Sequence, residues 1–518
     1  MIRNVQYEGP SMPLSQEIDE MKYRQEGESF QDKVLRLASS MSDGEEHKGE
    51  LEDIYGNLRF LPAGRVQNAM GSRRITTAYN CFVSGEVKDS MESIMSMATE
   101  AAETMRRGGG IGYDFSKIRP RGDLIRSLHS QSSGPVSFMG IFDAVCQTIA
   151  SSGHRRGAQM GVLRVDHPDI YEFIGAKRNS DKLTGFNISV GITDEFMEAV
   201  LADGDFNLTF EGQVYKTIQA THLWDEIMQS TWDWAEPGVL FVDRINEMNN
   251  LKYCETISAT NPCGEQPLPY YGACLLGSFN LTKYVEDKKF NYVGFKSDIP
   301  HVVRAMDNVI DRTIYPLKAQ SDEAKNKRRM GLGVTGMANA GEMLGHPYGS
   351  KEFLDWAEGI FKILRNGTYA ASVELAKEKG PFPLYREDFN KSNFIRTLPF
   401  KLRRDIKTHG IRNSHLTSIA PTGTISLVAD NVSGGIEPVF SHYYDRTIQT
   451  FAGPRVDRVE DYAYSRGTMG VITNDVTIEQ HVDILALASH YVDSAVSKTC
   501  NVGDETTFEE FKDVYVDA

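Results

Sequence analysis

Apolar positions three and four apart at Phe30, Val34, Leu37 and Met41 draw the single stripe of a helix with one buried side. An acidic-basic turn is expected from Ser42 to Lys48, so that residues 1–55 read as a small helical N-terminal region. From Phe60 the texture changes to short apolar runs punctuated by Gly and Pro: first Phe60 to Arg65, then Ala78 to Val83, a strand that carries Cys81. Asp89 to Met105 predicts a helix, N-capped by Asp89 or Ser90, that runs into the glycine cluster Gly108-Gly109-Gly110-Ile111-Gly112. This cluster lets backbone come close to a ligand or to another segment, and a tight turn at a strand start is the simpler of the two readings.

Further along, helices are expected at Ser132 to Ala150, Phe196 to Leu201, Leu223 to Trp234, Val302 to Asp311, Phe353 to Lys377 and Glu479 to Val496. Between them lie strand-like runs at Phe206 to Phe210 and Val239 to Val242, and Met330 to Gly336 is apolar enough for a buried strand or turn. Lys325 to Arg329 reads as a basic linker. Such alternation predicts an α/β architecture with the sheet interior to the helices, and one compact domain is the simplest organisation, since no repeat or low-complexity stretch interrupts it.

Composition narrows the function classes. With 518 residues and a formal charge of −15, the chain can bury a sizeable core but offers no general polyanion surface, which disfavours long nucleic acid and leaves room for nucleotides. No run of about 18 apolar residues occurs, and the first fifteen residues lack the layout of a secretory signal, so a cytoplasmic location without membrane contact is expected. The six cysteines, Cys81, Cys146, Cys254, Cys263, Cys274 and Cys500, are spaced as reduced thiols rather than as a disulfide scaffold. No metal-ligand pattern is expected.

The densest chemistry is Asn261-Pro262-Cys263-Gly264-Glu265, with Cys274 nine residues further on. If Pro262 keeps this segment extended, Asn261, Cys263 and Glu265 share one face, and an amide, a thiol and a carboxylate converge. A surface turn with a buried cysteine is the alternative. Two loops suit an anion: Ser151 to Ala158, with Arg155 and Arg156, and the Pro421-Thr422-Gly423-Thr424-Ile425-Ser426 segment, whose hydroxyls and backbone N–H groups end a strand.

Taken together, Asn261 to Leu268, Ala273 to Ser278, Tyr79-Asn80-Cys81-Phe82, Gly109 to Phe115 and Ala420 to Ser426 resemble, in order, the catalytic subunit of a ribonucleotide reductase. The resemblance covers nearly everything from Phe60 onward. It implies a ten-stranded α/β barrel of two antiparallel five-stranded halves with a central finger loop, occupying residues 56–518 behind the helical region 1–55. It also implies that Cys263 forms a thiyl radical that takes the ribose 3′ hydrogen, that Glu265 is the general base and that Asn261 holds ribose hydroxyls. Cys81 and Cys274 would be the dithiol oxidised in each turnover, although 193 positions separate them (274 − 81). Asn80, Thr422, Gly423, Thr424 and Ser426 would bind substrate, while Asp89, Arg126, Arg155 and Arg156 would serve a deoxynucleotide effector.

The radical source stays open at this stage. The Asn-Pro-Cys-Gly-Glu-Gln-Pro-Leu spelling and Ser433 to Phe440 resemble most closely the adenosylcobalamin-dependent class, whereas minimal phage-type subunits of similar spelling take their radical from a separate metal-containing small subunit. Expected partners are a ribonucleoside di- or triphosphate, a deoxynucleotide effector, a dithiol reductant such as thioredoxin and a second copy in a homodimer. Relatives continue past the region of Tyr491 to Tyr515 into a further strand and a tail bearing a cysteine pair, so this chain is expected to be truncated. The alternatives are a nucleotide-binding regulatory or structural protein of the same fold without turnover and, further off, a cysteine hydrolase, for which no histidine lies near Cys263 in sequence.

Overall fold

The computed structural model describes residues 7–149, 157–178, 182–450, 453–503 and 506–517. Three helices, Pro13–Tyr23, Phe30–Met41 and Glu45–Gly56, open the chain. The second begins with a reciprocal capping box between Ser29 and Asp32, and the four residues of its sequence stripe include the buried Val34, Leu37 and Met41. The expected turn at Ser42 to Lys48 is shorter than foreseen, because Glu45 and Glu46 already sit in the first turn of the third helix, where negative charge suits the helix N-terminus.

A six-stranded sheet follows in the order Gly238–Phe241, Phe186–Ile192, Gln159–Arg164, Gly110–Asp114, Cys81–Val83, Ala273–Cys274. The first five run parallel to their neighbours, and the last is antiparallel to Cys81–Val83. A second sheet joins Phe60–Pro62, Leu276–Asn280 and Gly331–Thr335, and single parallel bridges extend it from Leu332 to Thr417 and from Ile419 to Val496. The chain from 273 to 280 belongs to both sheets, so the two meet along it.

Alternation along the strands sorts side chains into two cores. Ile111, Tyr113, Leu163, Ile188 and Val190 pack with the helices Met91–Arg106, Pro135–Thr148 and Ala220–Trp234. Met160 and Val162 point the other way and join the larger core that contains Phe82, Ala259, Leu268 and Cys274. The glycine cluster thereby gains a definite role. Gly110 and Gly112 occupy the face of Gly110–Asp114 opposite Ile111 and Tyr113, where a Cβ on Gly112 would lie 1.8 Å from the Thr260 carbonyl oxygen. The cluster admits another segment of the chain at closer range than any side chain permits.

Two expectations fail for physical reasons. Lys325 to Arg329 is not a linker: Lys318–Lys327 is helical, and Lys327, Arg328 and Arg329 are drawn inward by the buried Asp307 and Glu255. Arg328 binds Asp307 at 2.9 Å and Asp311 at 2.8 Å, Lys327 binds Glu255 at 2.8 Å, and Arg329 pairs with the same Glu255. The last long helix is Ile478–Tyr491 rather than reaching Val496, because residues after Tyr491 leave it to pair with Thr417 and Ile419 in the second sheet.

Candidate active site

Residues 259–268 form a hairpin whose arms, Ala259–Thr260 and Pro267–Leu268, are antiparallel. The tip is not the extended strand foreseen from the sequence. Asn261 closes it: its Oδ1 accepts from the Gln266 N–H at 3.0 Å, its N–H donates to the Gln266 carbonyl at 3.1 Å, and its carbonyl accepts from the Gly264 N–H at 3.0 Å. Gly264 turns the chain at φ +80°, a conformation that glycine adopts without strain. Consequently Asn261 and Glu265 are buried while Cys263 is exposed, and the shared face gives way to a tip with two inward groups and one outward sulfur.

The hairpin is held through its own main-chain carbonyls from three sides. Asn187 Nδ2 donates to the Pro262 carbonyl at 2.9 Å, and the Thr260 carbonyl rests on Gly112. The Glu265 carbonyl accepts from the Ala495 N–H at 3.0 Å and from Ser418 Oγ at 2.9 Å. Asn187 and Ser418 escaped sequence reasoning. The only signal for Asn187 is an asparagine inside a largely apolar strand.

Cys81 and Cys274 sit directly opposite each other across the antiparallel join, both as free thiols. Such cross-strand pairs stand about 4.5–5.5 Å apart at Cα, inside the range a disulfide spans. Cys274 is fully buried, and burial pushes its thiol well up, helped by its contact with Cys81 and by the nearby Glu265 and Cys263. Pro262 and Cys81 both lie over Gly110, so the hairpin tip and the pair are immediate neighbours.

Burial also raises the Glu265 carboxyl, with the Asn261 amide alongside holding it partly down. Among the described residues Glu265 Oε2 and Asn261 Nδ2 nevertheless remain without a hydrogen-bond partner, as do Asn80 Oδ1 and Gln266 Nε2. Glu265 and Asn261 share one hairpin tip, so a polar ligand held there could partner both open atoms.

The segment 417–419 leads from Glu265 to the hydroxyl-rich loop. Thr422 is buried with φ +54°, and its hydroxyl already serves the fold, meeting Thr335 Oγ1 at 2.9 Å and accepting from the Gly435 N–H at 2.8 Å. Gly423 has open space where a side chain would be, Thr424 precedes the short helix Ile425–Val428, and the Ser426 N–H donates to the Thr422 carbonyl at 2.9 Å. Asp89 and Arg126 belong to a different place. Ser90, not Asp89, caps the Met91–Arg106 helix; Asp89 instead receives Arg119 Nε at 2.5 Å, and Arg119 also donates to Leu124 in the hairpin that carries the exposed Arg126. Arg119 is the residue that sequence reasoning missed there. Arg155 and Arg156 lie outside the described residues.

A sequence model of the family described as "Ribonucleotide reductase, barrel domain" matches residues 79–518. The chain belongs to the ribonucleotide reductase barrel-domain family. Family relatives include a "Vitamin B12-dependent ribonucleoside-diphosphate reductase" of Thermoplasma acidophilum, 35% identical over 90% of this chain and 62% of its own length. A protein of the same description from Mycobacterium tuberculosis is 35% identical over 90% of this chain and 69% of its own. The "Ribonucleoside-diphosphate reductase large subunit" of vaccinia virus is 27% identical over 71% of this chain and 53% of its own. The chain thus spans about three fifths of the length of the first of these relatives, 62%. Among the described residues no helix is long and apolar enough to cross a membrane.

Proposed function

We propose that the chain carries the reacting residues of a ribonucleotide reductase, converting a ribonucleotide to its 2′-deoxy form while a cysteine pair is oxidised. The observation that carries this reading is the cluster of open buried polar atoms, Glu265 Oε2 and Asn261 Nδ2, beside the opposed thiols Cys81 and Cys274. Cys263, as a thiyl radical, takes the ribose 3′ hydrogen and later returns it. The Glu265 carboxylate takes the 3′-hydroxyl proton, a task suited to a carboxyl whose burial makes it a stronger base. Asn261 and Asn80 orient the ribose hydroxyls. The 2′-hydroxyl leaves as water with a proton from the dithiol, whose two thiols give up two electrons and close to a disulfide. Gly423, Thr424 and Ser426, with the backbone at Thr422, receive the substrate phosphates, and Asp89 with Arg126 receives a deoxynucleotide effector whose influence passes through the loop of Arg155 and Arg156.

The Thermoplasma and Mycobacterium relatives are described as vitamin B12-dependent, which supports adenosylcobalamin as the radical source. When bound, that cofactor supplies an organic radical able to remove the hydrogen atom of a thiol. The residues present fit an approach from outside: Cys263 is exposed at the tip, and among the described residues nothing lies within 4 Å of the position a Cβ would take on Gly264. These two residues would face the group. A metal-containing small subunit is the competing source, and the vaccinia relative is described as a large subunit. The reading further includes closure of the two sheets into a ten-stranded barrel from residue 56, a helical region before it, a dithiol reductant such as thioredoxin, a homodimer and a cytoplasmic setting. A nucleotide-binding protein without turnover is not favoured, since relatives 35% identical to this chain are described as reductases.

The test gives the protein a ribonucleotide and a dithiol, with adenosylcobalamin in one tube and a candidate small subunit in another, and follows 2′-deoxynucleotide formation. Cys263→Ser is expected to abolish product while leaving nucleotide binding within about threefold. Turnover by that variant removes the reading.

A further inference from the structure

Asp493 is buried, and no cation pairs with it among the described residues. Its carboxylate instead collects neutral donors. Oδ2 accepts from the Leu416 N–H at 2.7 Å and from the Tyr369 hydroxyl at 2.6 Å, and Oδ1 accepts from the Thr417 N–H at 2.9 Å. The Asp493 N–H returns a bond to Thr417 Oγ1 at 3.0 Å. Burial pushes the carboxyl up to about 6, so the charge is kept at a cost that these donors only partly offset. Tyr369 is itself held by Asn250, whose amide donates to its hydroxyl at 2.8 Å and whose Oδ1 accepts from Ser392 at 2.9 Å.

What this arrangement fixes is the alignment of two extended segments. Ser494 N–H donates to the Thr417 carbonyl at 3.2 Å, Ile419 N–H to Ala495 at 3.2 Å and Ser497 N–H to Ile419 at 2.9 Å. Ser418 and Ala495 lie one and two residues beyond the atoms that Asp493 clamps, and they are the two residues that bind the Glu265 carbonyl. The two consecutive backbone N–H groups each meet a separate oxygen. A carboxylate has two; an amide of the same shape offers one oxygen and turns an N–H₂ against the other donor.

We propose that Asp493 is a positioning residue for Glu265: by locking 416–419 against 493–497 it sets the pair of donors that hold the Glu265 main chain, and with it the direction of the Glu265 carboxyl. The inference rests on the reading of Glu265 as the general base. It assigns no contact between Asp493 and substrate.

The experiment uses the full chain and two independent readouts. In Asp493→Asn, amide hydrogen exchange at Gly264, Gln266, Thr417 and Ala495 is expected to speed up at least tenfold, with the strand Phe186–Ile192 unchanged. Loosening at Thr417 and Ala495 with Gly264 and Gln266 unchanged overturns the proposal, whether or not the chain turns over. In the turnover assay, Asp493→Asn alone is expected to lower kcat 10- to 100-fold, but less than twofold when added to Glu265→Gln, because a residue acting through Glu265 has nothing left to position. Effects that multiply in the double variant overturn the proposal. If Asp493→Asn does not fold, Tyr369→Phe removes one donor while sparing both backbone bonds. It is expected to speed exchange at the same four amides about threefold, and no change there overturns the proposal as well.

Discussion

Adding a single methyl group at Gly112 puts the site geometry to the sharpest test. The backbone there is not in the left-handed region, so Gly112→Ala carries no conformational strain and its effect is steric. The new Cβ would stand 1.8 Å from the Thr260 carbonyl oxygen and 3.0 Å from the Thr260 carbonyl carbon, both main-chain atoms that no rotamer change can move aside. Restoring an ordinary contact of about 3.4 Å requires the hairpin arm to retreat by roughly 1.5 Å, or the strand to bend by as much. Overpacking of this kind costs about 1–3 kcal/mol of stability, which a core of this size tolerates. A misplacement of about 1 Å at reacting groups costs on the order of 100-fold in rate. The expected result is a folded protein, by circular dichroism and urea unfolding, that makes deoxynucleotide at least 100 times more slowly and exchanges its Gly264 and Gln266 amides faster. Gly140→Ala is the control: it lies within the helix Pro135–Thr148 with nothing within 4 Å of the new methyl, and is expected to gain about 0.5–1 kcal/mol without a change in rate. Gly112→Ala turning over within threefold of the parent, with unchanged amide protection, would refute the close approach and the role given to the glycine cluster.

Three further outcomes are expected. Glu342 is buried with Oε1 unpartnered, and burial together with Asp461 raises its carboxyl to about 8. The folded state therefore keeps a proton that the unfolded chain releases near 4.5, so stability falls as pH rises from about 4.5 to 8, by up to about 1.4 kcal/mol per pH unit, and Glu342→Gln flattens that slope in urea titrations. Arg329 and Lys327 share the buried Glu255, so replacing both cations by Met is expected to cost about 3–5 kcal/mol by leaving that carboxylate uncompensated; a loss under 1 kcal/mol in the same titration contradicts it. Cys81 is only partly buried while Cys274 is fully buried, so an external thiol should attack the Cys81 sulfur of the oxidised pair. When the oxidised parent chain is treated with a monothiol and quenched by rapid alkylation, mass spectrometry is expected to place the mixed disulfide on Cys81 and the alkyl group on Cys274; the reverse placement contradicts it.

Much of this was legible in the sequence because local pattern and tertiary packing agree. The Phe30 to Met41 stripe, the Gly110 strand and the Met330 to Gly336 run all formed as expected, since their apolar residues had cores to enter. The clustering of Cys81, Cys274, Cys263 and Glu265 was legible only through family resemblance, as nothing in local spacing brings Cys81 to Cys274. What failed depended on distant partners. Lys327 and Arg329 looked solvated until Glu255, more than seventy residues away in sequence, drew them inward, and the helix before Val496 ended early because Thr417 and Ile419 offered a better partner for the backbone. The extended tip failed because an asparagine side chain, able to imitate a backbone acceptor, folded it into a turn.

Three carbonyls, those of Thr260, Pro262 and Glu265, are what the surrounding chain grips. Every residue type supplies the same carbonyl, so the frame is largely indifferent to what is written at positions 263 and 265. The tip is therefore an interchangeable cartridge: Cys263 or Glu265 can be replaced by selenocysteine, serine or glutamine, and the loss or gain read as reactivity rather than as collapse of the loop that presents it.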